Sequence, residues 1–128
     1  MWGYYEWRGT PDGKQPYYFT RKDGALITVA GVHDEWNDPE TGKMLRSCAM
    51  VITEPNAFVV QVHDRMPVIL EPQNFAAWEQ GDSKNAATLM RPAGDVLQAW
   101  PVSRGVNSSR AADDDASLIV PASPDKLL

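Results

Sequence analysis

One cysteine, Cys48, and two histidines, His33 and His63, are all this chain offers of the residues that form disulfides or hold soft metals. A single thiol makes no internal disulfide and fits a reducing compartment. With so few such side chains, a closed zinc site is not expected. The chain has no H-x-x-x-H, no paired C-x-x-C, no G-x-G-x-x-G, no G-K-[ST] loop and no G-x-S-x-G elbow. The usual signatures of metalloproteases, phosphate-loop proteins, dinucleotide enzymes and serine hydrolases are therefore missing, and neither a metal nor a cofactor is expected. Long apolar runs are absent as well: nothing approaches the ~20 residues that cross a bilayer. The start is aromatic rather than basic and then apolar, unlike a signal peptide. The expectation is a soluble, cytoplasmic protein with no membrane partner. Basic charge is also scarce, with 12 Lys and Arg against 17 Asp and Glu, a net charge of −5. This argues against a basic nucleic-acid coat, although a local basic cleft can exist on an acidic domain.

What is present suffices for one packed unit. The 128 residues match the usual size of a single domain, and a hydrophobic fraction of 43% fills one core. Alternation from Gly3 to Arg8 puts Tyr4, Glu6 and Arg8 on one strand face and Gly3, Tyr5 and Trp7 on the other. The turn-rich stretch Gly9 to Pro16 leads into the strand formers Tyr17 to Thr20, a hairpin signal, and Ala25 to Val32 reads as a central third strand. Asp34 to Arg46, with its N-D-P and T-G-K turns, is expected to be a surface loop, and Ser47 to Thr53 a strand. Ala57 to Val62 is ambiguous between strand and short helix, and Met66 to Leu70 looks like a buried strand. Short helices are expected over Pro72 to Gln80 and Asn85 to Met90, followed by a late strand from Val96 to Val102. Leu118 to Val120 could pair at an edge, and the end, residues 122–128, is expected to fray. The fold class is mainly β (α+β) with a few short helices.

Candidate chemistry rests on isolated polar residues in apolar settings. Glu6, flanked by Tyr5 and Trp7, is either a solvent-facing edge carboxylate or, if desolvated, a proton shuttle with a raised pKa. His63, followed by Asp64 and Arg65, is either a turn-capping histidine or acid/base and anion-binding apparatus at a strand mouth. Arg65 suits a structural ion pair or a phosphate. Cys48, between Ser47 and Ala49 in an apolar run, reads as an inert core thiol, and His33 as a polar loop residue. The five tryptophans read mostly as core, with room for one or two exposed rings that stack on bases.

Six strings occur in a familiar order: G-Y-Y-E-W at Gly3 to Trp7, K-Q-P-Y-Y at Lys14 to Tyr18, Ala30-Gly31, V-I-T at Val51 to Thr53, H-D-R-M-P-V-I-L at His63 to Leu70, and P-V-S-R-G-V-N at Pro101 to Asn107. In these the chain, from about Gly3 to Pro121, resembles the SRAP family of SOS-response-associated peptidases, or abasic-site-processing proteins. The resemblance implies an antiparallel sheet or partial barrel, a partner in single-stranded DNA containing abasic sites, and a covalent thiazolidine link between the opened sugar and an N-terminal cysteine. It also implies that Glu6 assists proton transfer around the amine and imine, that His63 protonates the sugar ring oxygen, and that Thr53, Trp7 and Arg65 support the site or contact DNA. The family's M-C-G-R opening has no match here, where residue 2 is Trp2. Residues 1–121 therefore read as the C-terminal part of such a domain, truncated at its N-terminus or split from it. The missing half would come from a separate chain, or the unpaired sheet edges would drive self-association. The enzyme assignment stays open between an abasic-site crosslinking protein and a noncatalytic single-stranded DNA- or protein-binding remnant that uses Trp7 and Arg65.

Overall fold

The computed structural model describes residues 1–112 and 114–123. Its main sheet has three antiparallel strands in the order β1-β2-β7, with β1 at Tyr4–Thr10, β2 at Gly13–Arg21 and β7 at Leu97–Pro101. The β1-β2 hairpin is tighter than its composition suggests. The register runs from Tyr4 opposite Phe19 to Thr10 opposite Gly13, leaving only Pro11 and Asp12 in the turn. Gly13 takes φ of +105°, a conformation open to glycine, and Thr10 Oγ1 donates to its carbonyl at 2.6 Å. The Gly9 to Pro16 stretch is thus mostly strand. Its turn residues mark the tip, and the flanks are carried into the sheet by pairing.

β2 lies between its two neighbours and buries Pro16 to Phe19 and Arg21. Tyr17 and Phe19 enter a core with Ile27, Val59, Met66 and Leu97, while Tyr18 packs on the other face against Tyr5 and Trp100. Close approach of the chain here requires Gly3, where a Cβ would collide with the Phe19 carbonyl and the Tyr18 ring. The third strand of this sheet is the distant β7 and not the expected Ala25 to Val32 segment. That segment runs extended through Val29, which bridges to Ile69; Ala30 N donates to Val68 O, and Leu70 N to Thr28 O. Two further short strands, β5 at Ile52–Thr53 and β6 at Met66–Pro67, pair antiparallel beside it.

The polar segment expected to be a loop is a β-ribbon. β3 at Gly31–Asn37 and β4 at Met44–Met50 pair residue for residue, and every residue of both is exposed. The turn signals were at the tip again: Asp38 N donates to Lys43 O, Gly42 N to Asp38 O, and Gly42 has φ of +66°. Cys48 lies on β4 opposite His33 and is exposed, so it is not a core thiol, and His33 is a strand residue. The tryptophans also depart from expectation. Trp2 and Trp36 are 70% and 54% exposed, and Trp7, Trp78 and Trp100 are only partly buried.

The ambiguous segment resolves into a 3-10 turn at Val59–Gln61, and the two helices form at α1, Phe75–Gln80, and α2, Ser83–Leu89. Phe75, Trp78 and Leu89 cover a second small core of Ala30, Val68 and Leu70. The late apolar segment is a 3-10 turn at Ala116–Ile119; the edge contact comes just after it, at Pro121 opposite Val102. Of the end expected to fray, only Ala122 and Ser123 are described, and the rest lies outside the described residues. The fold is mainly antiparallel sheet with a few short helices, and the described strands form no closed barrel. No described helix is long and apolar enough to cross a membrane.

Candidate functional site

The pleat of β1 places Tyr4 and Glu6 on the core side and Tyr5 and Trp7 on the other. Tyr4 packs against the core, its ring stacked on Phe19 with centroids 5.1 Å apart. Two residues along, Glu6 reaches the rim of that core with its side chain 21% exposed. His63 arrives there from a different part of the chain. Asn56 Oδ1 accepts from the backbone N–H groups of Phe58 and Val59 at 3.1 and 2.9 Å, while its Nδ2 donates to the carbonyls of Ala93 and Gly94. Those bonds fix the 3-10 turn. Buried Val59 and Val62 pin it to the core, and His63 follows directly.

Glu6 Oε2 lies 3.6 Å from His63 Nε2. The backbone N–H of Arg65 donates to His63 Nδ1 at 3.2 Å, so the neutral ring carries its proton on Nε2, toward Glu6. In the imidazolium, Nδ1–H instead faces the Asp64 carboxylate and the Arg65 carbonyl, each at 3.3 Å. The ring therefore has a proton acceptor for either charge state. Burial pushes the Glu6 carboxyl up from its ordinary value; the nearby His63 and Arg65 charges oppose that shift, and Asp64 adds to it. A half-buried carboxyl of this kind can hold or release a proton closer to neutrality than a solvated one.

The pair borders a cavity of about 270 Å³ whose walls include Tyr4, Met50, Ile52 and Met66. That is below the roughly 300–1,000 Å³ typical of drug-sized ligands and suits one small polar group. Tyr4 is part of that wall, and its hydroxyl is buried without a hydrogen-bond partner among the described residues. A larger groove of about 630 Å³ lies between the start of β3 and α1, lined by Thr28, His33, Leu70, Phe75, Trp78 and Glu79. No described ion pair brings its His33 and Glu79 together, so the chemistry points to the smaller cavity.

The sequence-predicted residues divide accordingly. Glu6, His63 and Arg65 line the small cavity. The Arg65 side chain is 65% exposed, with its Nε 3.8 Å from Asp64 Oδ1. Thr53 sits on β5 opposite Met66 and is not among the lining residues. Trp7 faces away from the cavity and donates through Nε1 to Asn107 Oδ1 at 2.6 Å. Cys48 lies on the ribbon and outside the lining. Tyr4, Met50, Ile52 and Met66 were missed as site residues. The phase of Tyr4 with Glu6 was a readable signal, whereas the other three arrive by tertiary packing alone.

A family model described as "SOS response associated peptidase (SRAP)" matches residues 1–109. The abasic site processing protein YoqW of Bacillus subtilis is 37% identical over 84% of this chain, which covers 50% of that protein. The abasic site processing protein HMCES of Gallus gallus is 30% identical over 93% of the chain and 41% of its own length, and YedK of Escherichia coli is 30% identical over 93% and 54%. A solved protein from Bacteroides thetaiotaomicron superposes with a TM-score of 0.84 at 25% identity, over 95% of this chain and 54% of that one. The chain thus spans about half the length of the curated relatives it matches.

Proposed function

Because the chain belongs to the SOS response associated peptidase (SRAP) family, we propose that it acts in abasic-site processing, with Glu6 and His63 moving protons at an opened sugar in single-stranded DNA. The observation that carries this reading is the pair itself: a desolvated carboxyl and an imidazole 3.6 Å apart beside a cavity sized for one small group. Residues 1–121 would be the C-terminal part of the domain. Such a role puts the protein inside the cell, with the DNA.

The chemistry needs a nucleophilic amine and thiol, and no cysteine lines the cavity. We assign both to polypeptide outside these 128 residues, which also fits a chain covering half of its relatives. His63, as the imidazolium, would give its Nε2 proton to the sugar ring oxygen while the anomeric hydroxyl passes its proton to the Glu6 carboxylate, so that the ring opens to the aldehyde. The amine adds to the aldehyde carbon, and Glu6 carries the two amine protons in turn from nitrogen to the oxygen, the first giving the carbinolamine and the second letting water leave, so that an imine remains. The thiol then adds across the C=N bond, its proton passing to nitrogen as the C–S bond closes the thiazolidine. No redox step is involved. Arg65, exposed at the rim, would meet a phosphate, either in this reaction or in a remnant that only binds DNA.

The test supplies the other half of the domain from a relative, together with a single-stranded oligonucleotide carrying one abasic site, and follows the denaturation-resistant band. Glu6→Gln and His63→Ala should each slow band formation by about 10²–10⁴-fold. Unchanged rates in both variants would overturn the assignment. A covalent band formed by this chain alone would instead show that the nucleophile lies within it.

A further inference from the structure

One residue of the cavity wall has no role in the proton transfers above. Tyr4 lines the cavity with Glu6 and His63, and its hydroxyl is buried and finds no partner among the described residues. A buried hydroxyl left without a hydrogen bond loses its hydration with nothing in return. The ring cannot readily swing to find a partner, because it stacks on Phe19 at 5.1 Å with 13° between the planes, and Phe19 is fully buried. Phenylalanine would fill the same space without that cost. The hydroxyl is thus an exception to the rule that buried polar groups are satisfied, and it belongs to a residue of the cavity wall.

Burial and the neighbouring Glu6 charge push the Tyr4 phenol well above its ordinary value, so it stays protonated at any physiological pH. It is therefore a constant hydrogen-bond donor, unlike the adjacent Glu6 carboxyl, an acceptor when ionised.

We propose that the Tyr4 hydroxyl donates a hydrogen bond to an alcohol or carbonyl oxygen of the opened sugar held between Glu6 and His63, an assignment that rests on the abasic-site reading above. Tyr4 is then a binding residue that distinguishes an opened, oxygen-rich sugar from an intact nucleotide. It orients the aldehyde carbon without taking part in proton transfer.

The test uses the full 128-residue chain together with the other half of the domain from a relative, as above, and two single-stranded oligonucleotides: one with a borohydride-reduced abasic site, an opened chain that cannot form an imine, and one with the intact base at that position. Fluorescence anisotropy reads both affinities. The unmutated chain should prefer the reduced site. Tyr4→Phe should lower affinity for the reduced site by about tenfold, leave the intact oligonucleotide unaffected, and keep or raise the melting temperature. The Tyr4 proposal falls, and the abasic-site reading stands, if the unmutated chain discriminates but Tyr4→Phe keeps full affinity. It falls likewise if Tyr4→Phe loses affinity equally for both oligonucleotides, or if the loss comes with a lowered melting temperature, which would mark a structural role. An unmutated chain that does not discriminate overturns the abasic-site reading and the Tyr4 proposal together.

Discussion

β1 and β3 are both seven-residue strands, each paired along its whole length to the next strand in sequence, but under opposite conditions. β1 joins β2, which joins β7, and the core-facing side of that sheet closes over Phe19, Leu97 and Val59. β3 joins only β4, and both faces of the ribbon lie open, with Val32, Trp36 and Leu45 among its exposed apolar residues. Backbone pairing and a good turn therefore set the shape of both hairpins, and burial separates them. A two-stranded ribbon alone in water is marginal. The residues proposed for chemistry are held by the packed region: Glu6 by β1, and His63 by a turn whose valines enter the same core.

The sharpest way to break this contrast is Phe19→Ala. Phe19 is fully buried against Tyr4 and Phe58, so its loss should cost about 3–5 kcal/mol in denaturant unfolding. A cost below about 1 kcal/mol would mean that the sheet is not the organising core. Asn56→Ala comes next. It removes the side-chain bonds that shape the His63 turn and leaves two backbone donors to be satisfied by water. We expect a loss of about 1–3 kcal/mol, with His63 ring resonances shifted by NMR while those of the ribbon stay in place. Trp36→Ala should have the smallest effect, within about 0.5 kcal/mol for the chain on its own. A loss of 2 kcal/mol or more would show that the ribbon packs against something in solution and would erase the difference between the two hairpins.

These two regions also mark what could be read from sequence. The β1-β2 hairpin was legible because aromatic alternation and turn residues are local signals that agree with the burial pattern. The β3-β4 ribbon was misread because its strands are polar. Asp34, Glu35, Asn37 and Arg46 give no alternation against a core, since no described core lies beneath them. The third strand of the sheet was assigned to the nearest apolar run, whereas β7 occupies that position. This choice is made by long-range packing of Leu97 and Ala99 against Phe19 and its neighbours. At the site, Glu6 and His63 could be named one at a time, but their approach depends on the Asn56-anchored turn, which no local pattern announces. Trp7 is named through the family resemblance as a residue that contacts DNA or supports the site; the strand pleat turns it away from the cavity, to the face where Asn107 holds its indole.

The exposed position of Cys48 has a practical side. It is the sole thiol of the chain, on the ribbon strand whose Met50 borders the small cavity, and is itself outside the lining. A maleimide dye would attach at one known place without disturbing Glu6 or His63. Its emission would follow the surroundings of the ribbon in real time, turning the least packed part of the molecule into its most convenient reporter.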